Sequence, residues 1–144
     1  MLLNLIDQLQ IIHKAGLVHN NLKPNNIVIG SNGFRLINLG ESVSFLNEGR
    51  HYAENKRCEH AGNLLMSTAN KLSDMHPSRK NDMISLFYSI AVILEKLPYQ
   101  DYFLFNNGRI PYAELKASLL LKKKNCTAVE YCNYAALRFM RSYL

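Results

Sequence analysis

The chain has 144 residues, 48% of them hydrophobic, and a formal net charge of +6. That length suits one globular domain, and we treat residues 1–144 as a single domain. The charge permits an acidic protein partner, but the basic run at residues 122–124 is more typical of a solvated helix end than of a nucleic-acid surface. No apolar run reaches the length of a membrane-spanning helix, so we expect neither nucleic acid nor membrane as a partner.

The three cysteines, Cys58, Cys126 and Cys132, do not follow a metal-ligand spacing. We therefore expect no metal site built on them. An odd number of cysteines without a signal sequence favours a reducing compartment, so the expected location is intracellular, either cytoplasmic or nuclear.

The first predicted element is an amphipathic helix, because apolar residues recur at helical spacing on one face. These are Leu2, Leu5, Ile6, Leu9 and Ile12. Gly16 is well placed to end this helix. The sequence His-Asn-Asn-Leu-Lys-Pro-Asn-Asn follows at residues 19–26 and precedes the apolar run at residues 27–29. Taken alone, this stretch could be an ordinary polar turn, with His19 a packed histidine.

The pattern extends further than a turn requires, because Asn38-Leu39-Gly40 follows twelve residues after Asn26. Together the two motifs resemble the catalytic loop of protein kinases, His-Arg-Asp-Leu-Lys-Pro-x-Asn, and the Asp-Phe-Gly that follows it. Asn21 stands where the resemblance places the catalytic aspartate, and Asn38 where it places a magnesium-binding aspartate.

The resemblance implies a role for each matched position. Asn21 is a degenerate base position, because an amide does not accept the proton that the aspartate accepts. Asn26 and Asn38 are the magnesium positions, degenerate as a pair: Asn26 keeps the asparagine of the motif, but Asn38 lacks the charge of the aspartate that it replaces. Lys23 matches the lysine that faces the transferred phosphate. The positions of architectural rather than chemical importance are His19, Leu39, Gly40 and Asp82.

Two short strands, residues 27–29 and 34–37, are predicted around the turn sequence Gly-Ser-Asn-Gly. The segment 41–61 is polar and without a clear period. It is expected to be the counterpart of an activation segment or simply a long surface loop.

A second block is more specific. Gly62 begins a sequence in which Thr68-Ala69-Asn70 is followed by residues 78–88, Ser-Arg-Lys-Asn-Asp-Met-Ile-Ser-Leu-Phe-Tyr. This is similar to the casein kinase I group, in which a Ser-Ile-Asn sequence replaces the usual Ala-Pro-Glu. Two departures stand out: Asn63 replaces a threonine that would contact the catalytic aspartate, and Leu65 replaces an anion-binding arginine.

Ser78 is predicted to cap a helix running to about Glu95. Its apolar residues cover nearly the whole circumference, which indicates a buried central helix. Within it, the resemblance predicts that Asp82 is buried and accepts hydrogen bonds from the backbone around His19 and Asn20. Further helices are predicted at about residues 111–123 and 130–144.

The predicted fold is mainly α with one small β-hairpin, a kinase-like C-terminal lobe without the N-terminal lobe and the last helix. No Gly-x-Gly-x-x-Gly and no strand lysine precede the loop. The expected function is a catalytically impaired, casein kinase I-like module that binds a protein, with no cofactor, where the resembled family uses Mg-ATP. The alternatives are residual serine/threonine kinase activity in a fuller context and a non-functional gene fragment. Self-association through the face left by the missing lobe is also expected.

Overall fold

The computed structural model describes residues 2–53, 56–94 and 97–131. Helix α1 spans Leu2–Lys14, and Gly16 follows it with a φ of +79°. The next elements are β1, Leu17–Val18, a 3₁₀ turn at Pro24–Asn26, and the strands β2, Ile27–Gly30, and β3, Gly33–Leu36. The helix, its end and the hairpin agree with the sequence prediction.

The polar segment after the hairpin is more ordered than its sequence indicates. A 3₁₀ turn at Leu39–Glu41 leads into β4, Val43–Ser44, which pairs with β1. Strands β5, Leu46–Asn47, and β6, Arg50–His51, form a further antiparallel pair. The described residues therefore contain three two-stranded antiparallel sheets, and the prediction of a single hairpin was wrong in this respect.

The helical part follows. Its elements are α2, Ala69–Leu72; α3, Arg79–Leu94; α4, Gln100–Asn106; α5, Tyr112–Asn125; and α6, Ala128–Tyr131. Helices α2 and α4 were not predicted, and the predicted helix at 130–144 lies almost entirely outside the described residues. No helix among the described residues is long and apolar enough to cross a membrane.

Helix α3 lies at the centre of the packing, as predicted. Leu86 and Ile90 pack into one core with Leu5, Leu9 and Leu22. Other α3 residues join a second core with the segment 64–66 and helix α5. The burial is incomplete, however, because Met83, Ile93 and Leu94 are exposed. The two cores place the loop at residues 19–26 between α1, the hairpin and α3.

The start of α3 differs in detail from the predicted serine cap. Ser78 does precede the helix, but its hydroxyl donates a hydrogen bond of 2.8 Å to Oδ1 of Asn81. The same oxygen accepts the backbone N–H of Ser78 at 2.8 Å. At the start of this helix, therefore, the Asn81 side chain accepts hydrogen bonds from Ser78, and the Ser78 hydroxyl does not act as the predicted cap.

A buried lysine joins α5 to the segment before α2. Lys123 donates hydrogen bonds to the backbone carbonyls of Leu65 and Ser67, and its Nζ lies 4.7 Å from the ring centres of both Tyr88 and Tyr99. Burial lowers the pKa of this amine well below its usual value. The carbonyls and aromatic faces compensate in part for removing the amine from water.

Candidate functional site

The loop at residues 19–26 is fixed by one carboxylate from α3. Asp82 accepts the backbone N–H of His19 on Oδ2 at 2.7 Å and that of Asn20 on Oδ1 at 3.0 Å. Nε2 of His13 lies 2.9 Å from Oδ2. Asp82 is buried, and this geometry is the one predicted from the sequence. We call Asp82 with His13, His19 and Asn20 the anchor.

The ring of His19 connects the loop to the strand that precedes Asn38. Its Nε2 lies 3.1 Å from the carbonyl oxygen of Ile37, and its Nδ1 accepts the backbone N–H of Asn21 at 3.3 Å. Only the neutral tautomer with hydrogen on Nε2 satisfies both contacts. His19 is fully buried and has no hydrogen-bonding capacity left over for chemistry.

Asn21, at the predicted base position, is buried. Its backbone carbonyl accepts a hydrogen bond of 2.7 Å from the side chain of Asn26, whereas its own Oδ1 has no hydrogen-bond partner. Lys23 is half-buried at the start of the 3₁₀ turn. The structure thus brings Asn21 and Asn26 together, and both present amides where the resemblance places a carboxylate and a metal ligand.

The hairpin brings the second magnesium position beside the first. The Ile37 N–H donates to the Asn26 carbonyl at 3.0 Å, and Nδ2 of Asn38 lies 3.5 Å from Oδ1 of Asn26. Asn38 has a φ of +66°, a left-handed conformation that asparagine adopts more readily than most residues. We call Asn21, Asn26 and Asn38 the amide site. Among the described residues no cluster of three His, Cys, Asp or Glu side chains could hold a metal.

A buried lysine that sequence reasoning missed completes the surroundings of the loop. Nζ of Lys71 donates to the Asn20 carbonyl at 2.5 Å. Burial lowers the pKa of this amine to about 8, opposed by the nearby carboxylates of Asp82 and Glu41. A lone lysine in a polar stretch gives no signal of burial, so nothing in the sequence could have indicated this contact.

The two departures from the casein kinase I pattern have structural tasks. Leu65 is buried in the core around α5, and Oδ1 of Asn63 accepts the backbone N–H of Met66 at 3.2 Å. Nearby, His60 lies 2.8 Å from the Ser67 hydroxyl and 2.9 Å from the Tyr112 hydroxyl. Burial, with Lys71 next in importance, lowers the pKa of His60 to about 4.

Exposed apolar side chains lie on the hairpin and just after it, beside the amide site. They are Val28, Ile29, Ile37 and Leu39, which we call the hairpin surface. Val28 and Ile29 are consecutive in β2 and therefore point to opposite faces of the hairpin. Ile29 is 79% exposed and Leu39 is 53% exposed. Ile27 and Leu36 of the same hairpin are half-buried against the core of Leu5 and Leu9. The polar segment after Leu39 does not cover this surface within the described residues.

Gly40 lies beside the amide site, because a Cβ there would be 3.6 Å from Oδ1 of Asn38.

The helical core, the hairpin and the anchored loop are compatible with a C-terminal lobe of the protein kinase type. No family model matches the chain. The chain is 29% identical over 139 residues to a probable casein kinase I homolog of Encephalitozoon cuniculi, which covers 90% of this chain and 40% of that protein. It is 25% identical over 119 residues to the serine/threonine-protein kinase mph1 of Schizosaccharomyces pombe, covering 78% of this chain and 16% of that kinase.

These similarities support a relationship to the protein kinase superfamily, and within it to casein kinase I-like proteins. The chain spans about two fifths of the casein kinase I homolog and a smaller part of the other kinase.

Proposed function

We propose that this chain is a catalytically impaired kinase-like module that acts by binding a protein. The observation that carries the proposal is the amide site, in which Asn21, Asn26 and Asn38 supply no carboxylate. Aspartate at the base position contributes roughly 10²–10⁴ in rate as a general base. Magnesium prefers charged oxygen ligands, so Asn26 and Asn38, held in a long amide–amide contact, form a weak metal site. We expect no bound Mg-ATP.

The binding role rests on the hairpin surface. Exposed apolar patches on soluble proteins mark interaction sites when they are contiguous and large. Ile29 and Leu39 lie in a part of the molecule where the described residues provide no cover. We propose that a protein partner, or a second copy of the chain, packs against this surface in a cytoplasmic or nuclear setting. Nucleic acid and membrane are not part of the proposal.

The first test measures catalysis. Purified chain is incubated with labelled Mg-ATP and an acidic, casein-like peptide, beside a mock preparation. The proposal expects no transfer above the mock. Transfer that disappears in Lys23→Ala would contradict it, because that lysine matches the position facing the transferred phosphate.

The second test measures binding. Leu39→Glu places a charge on the hairpin surface, and Leu121→Glu, at a residue 62% exposed on α5, is the matched control. Light scattering gives the oligomeric state, and mass spectrometry identifies stoichiometric partners after purification from the source cells. We expect Leu39→Glu to abolish self-association or the partner, and Leu121→Glu to leave it intact. A monomer that has no partner and is unaffected by either variant would refute the binding role.

Residual kinase activity in a longer polypeptide is the second candidate. The intact anchor and the retained Lys23 favour it, and so does the partial coverage of the related kinases. A longer form that transfers phosphate, and loses this activity with Lys23→Ala, would decide for this candidate.

A further inference from the structure

A buried cation lies behind the base position of the loop. Lys71 is only 6% exposed and sits in α2, a four-residue helix. The hydroxyl of Thr68 fixes this helix by accepting the Lys71 backbone N–H at 3.3 Å, and it also accepts from the Asn81 amide at 2.6 Å. Thr68 thus links α2 to Asn81 of α3, and this link fixes the backbone from which the Lys71 side chain extends.

The ammonium and the Asn21 amide share one neighbour, Gly62. A Cβ added there would lie 3.4 Å from Nζ of Lys71, 3.6 Å from Oδ1 of Asn21 and 3.1 Å from the Asn20 carbonyl. Gly62 has a φ of +95°, so the close approach depends on glycine. Oδ1 of Asn21 is buried and has no hydrogen-bond partner. A buried cation and an unsatisfied oxygen thus face the same small space.

The Lys71 ammonium has no carboxylate as an ion-pair partner among the described residues. The titratable groups that influence its amine or are influenced by it are Asp82, Glu41, Cys58, His60 and Lys123. Asp82 is already engaged in the anchor.

We propose that Lys71 is a positioning residue that would prevent residue 21 from acting as a base even if its charge were restored: a carboxylate there would become the internal ion-pair partner of Lys71 instead of a proton acceptor for substrate. An adjacent buried ammonium stabilises the ionised carboxylate. A carboxylate whose pKa is lowered in this way is a weaker general base. The proposal rests on the proposed loss of catalysis, and it adds that reversing Asn21 alone does not recover the base.

The experiment follows the Lys71 amine by NMR as a function of pH in three chains. These are the natural chain, Asn21→Asp, and Asn25→Asp, in which the same charge is added at an exposed position of the same loop. The expected pKa of the natural amine is about 8. Asn21→Asp should raise it by about one unit or more, a tenfold gain in proton affinity, whereas Asn25→Asp should change it far less.

Stability provides a second reading. If Asn21→Asp forms the ion pair, it raises the urea midpoint of the folded chain at pH 7, and the gain disappears as the pH falls through the lowered pKa of the new carboxylate. In a Lys71→Met background the same change should lower the midpoint. An unchanged Lys71 pKa, or an Asn21→Asp chain that is destabilised or unfolded, would overturn the proposal. Phosphate transfer by the natural chain would instead refute the proposed function, so the two failures are distinguishable.

Discussion

The anchor contacts the loop at His19 and Asn20, and the amide site begins at the next residue, Asn21. The two differ in whether a side chain accepts hydrogen bonds from the loop backbone, although Oδ1 of Asn20, like that of Asn21, is buried without a partner. In the anchor, both carboxylate oxygens of Asp82 accept hydrogen bonds from the loop backbone. In the amide site, Oδ1 of Asn21 is buried without a partner, and Asn26 contacts Asn38 at 3.5 Å. The loop therefore retains its architecture at positions separate from those that would perform chemistry.

This difference shows that the loop conformation and the catalytic groups depend on different side chains. The backbone N–H groups of His19 and Asn20 need an acceptor whatever residue 21 is, because buried unpaired donors are costly. Residue 21 projects into the same loop without supporting its backbone through its side chain. Carboxylates can thus be exchanged for amides at the amide site while the anchor continues to hold the loop.

The anchor should give the largest effect on stability. Asp82→Ala leaves the buried N–H groups of His19 and Asn20 unpaired, at about 1–3 kcal/mol each, so the free energy of unfolding should fall by about 2–6 kcal/mol. Asp7→Ala, at an exposed position of α1, is the control and should change it by about 0.5 kcal/mol or less. Urea unfolding measures both. Equal, small effects would show that the anchor does not hold the loop.

The contact behind the amide site should give the next largest effect. Gly62→Ala combines a left-handed φ of +95° with a Cβ only 3.1 Å from the Asn20 carbonyl. Gly108→Ala shares the positive φ, at +79°, but has no atom within 4 Å of its Cβ. The conformational cost alone is about 1–2 kcal/mol, so Gly62→Ala should exceed Gly108→Ala in thermal and urea unfolding. If both variants lose the same stability, the space between Lys71 and Asn21 is not tightly packed.

A smaller effect is expected on the pH dependence of stability, through His60. The folded pKa of His60 is lowered to about 4, below its ordinary value of 6.5. The unfolded chain therefore binds a proton first, so the contribution of His60 to stability is present above pH 6.5 and is lost as the pH falls toward 4. His60→Gln should flatten this part of the profile. A natural chain and His60→Gln variant with parallel profiles would contradict the assignment.

The smallest effect, none at all, is predicted for nucleotide at the amide site. Saturating a site at 100 times its dissociation constant stabilises a protein by about 2.7 kcal/mol. We expect no thermal shift with millimolar Mg-ATP, because Asn26 and Asn38 supply no charged metal ligand. A shift that disappears when EDTA removes magnesium would show that the amides still form a metal site.

Several elements could be predicted from local sequence signals. Helices α1, α3 and α5 and the β2–β3 hairpin occur close to their predicted bounds. Helix α1 has a regular apolar face, α3 a long apolar stretch after Ser78, and the hairpin a turn signal. The contact of Asp82 with His19 and Asn20 was predictable only through the family resemblance, since it joins residues more than 60 positions apart.

Other features depend on contacts that no local pattern contains. Strands β1 and β4 are two residues each, and their pairing joins Leu17 to Ser44. Lys71 and Lys123 are of a type usually exposed, and each is buried because carbonyls from a distant segment face its amine. Helix α4, with a predominantly exposed apolar side around Leu104 and Phe105, did not stand out from its neighbours.

The contact of Lys123 with the Ser67 carbonyl has a consequence for the order in which the chain folds. These residues are 56 positions apart, so during synthesis the segment 64–67 is made long before the amine that its carbonyls face. Contacts between distant residues form late because a large loop must close first. The segment 64–67 should therefore acquire its final backbone conformation only when α5 packs against it. Helix α1 and the hairpin are close in sequence and can associate earlier.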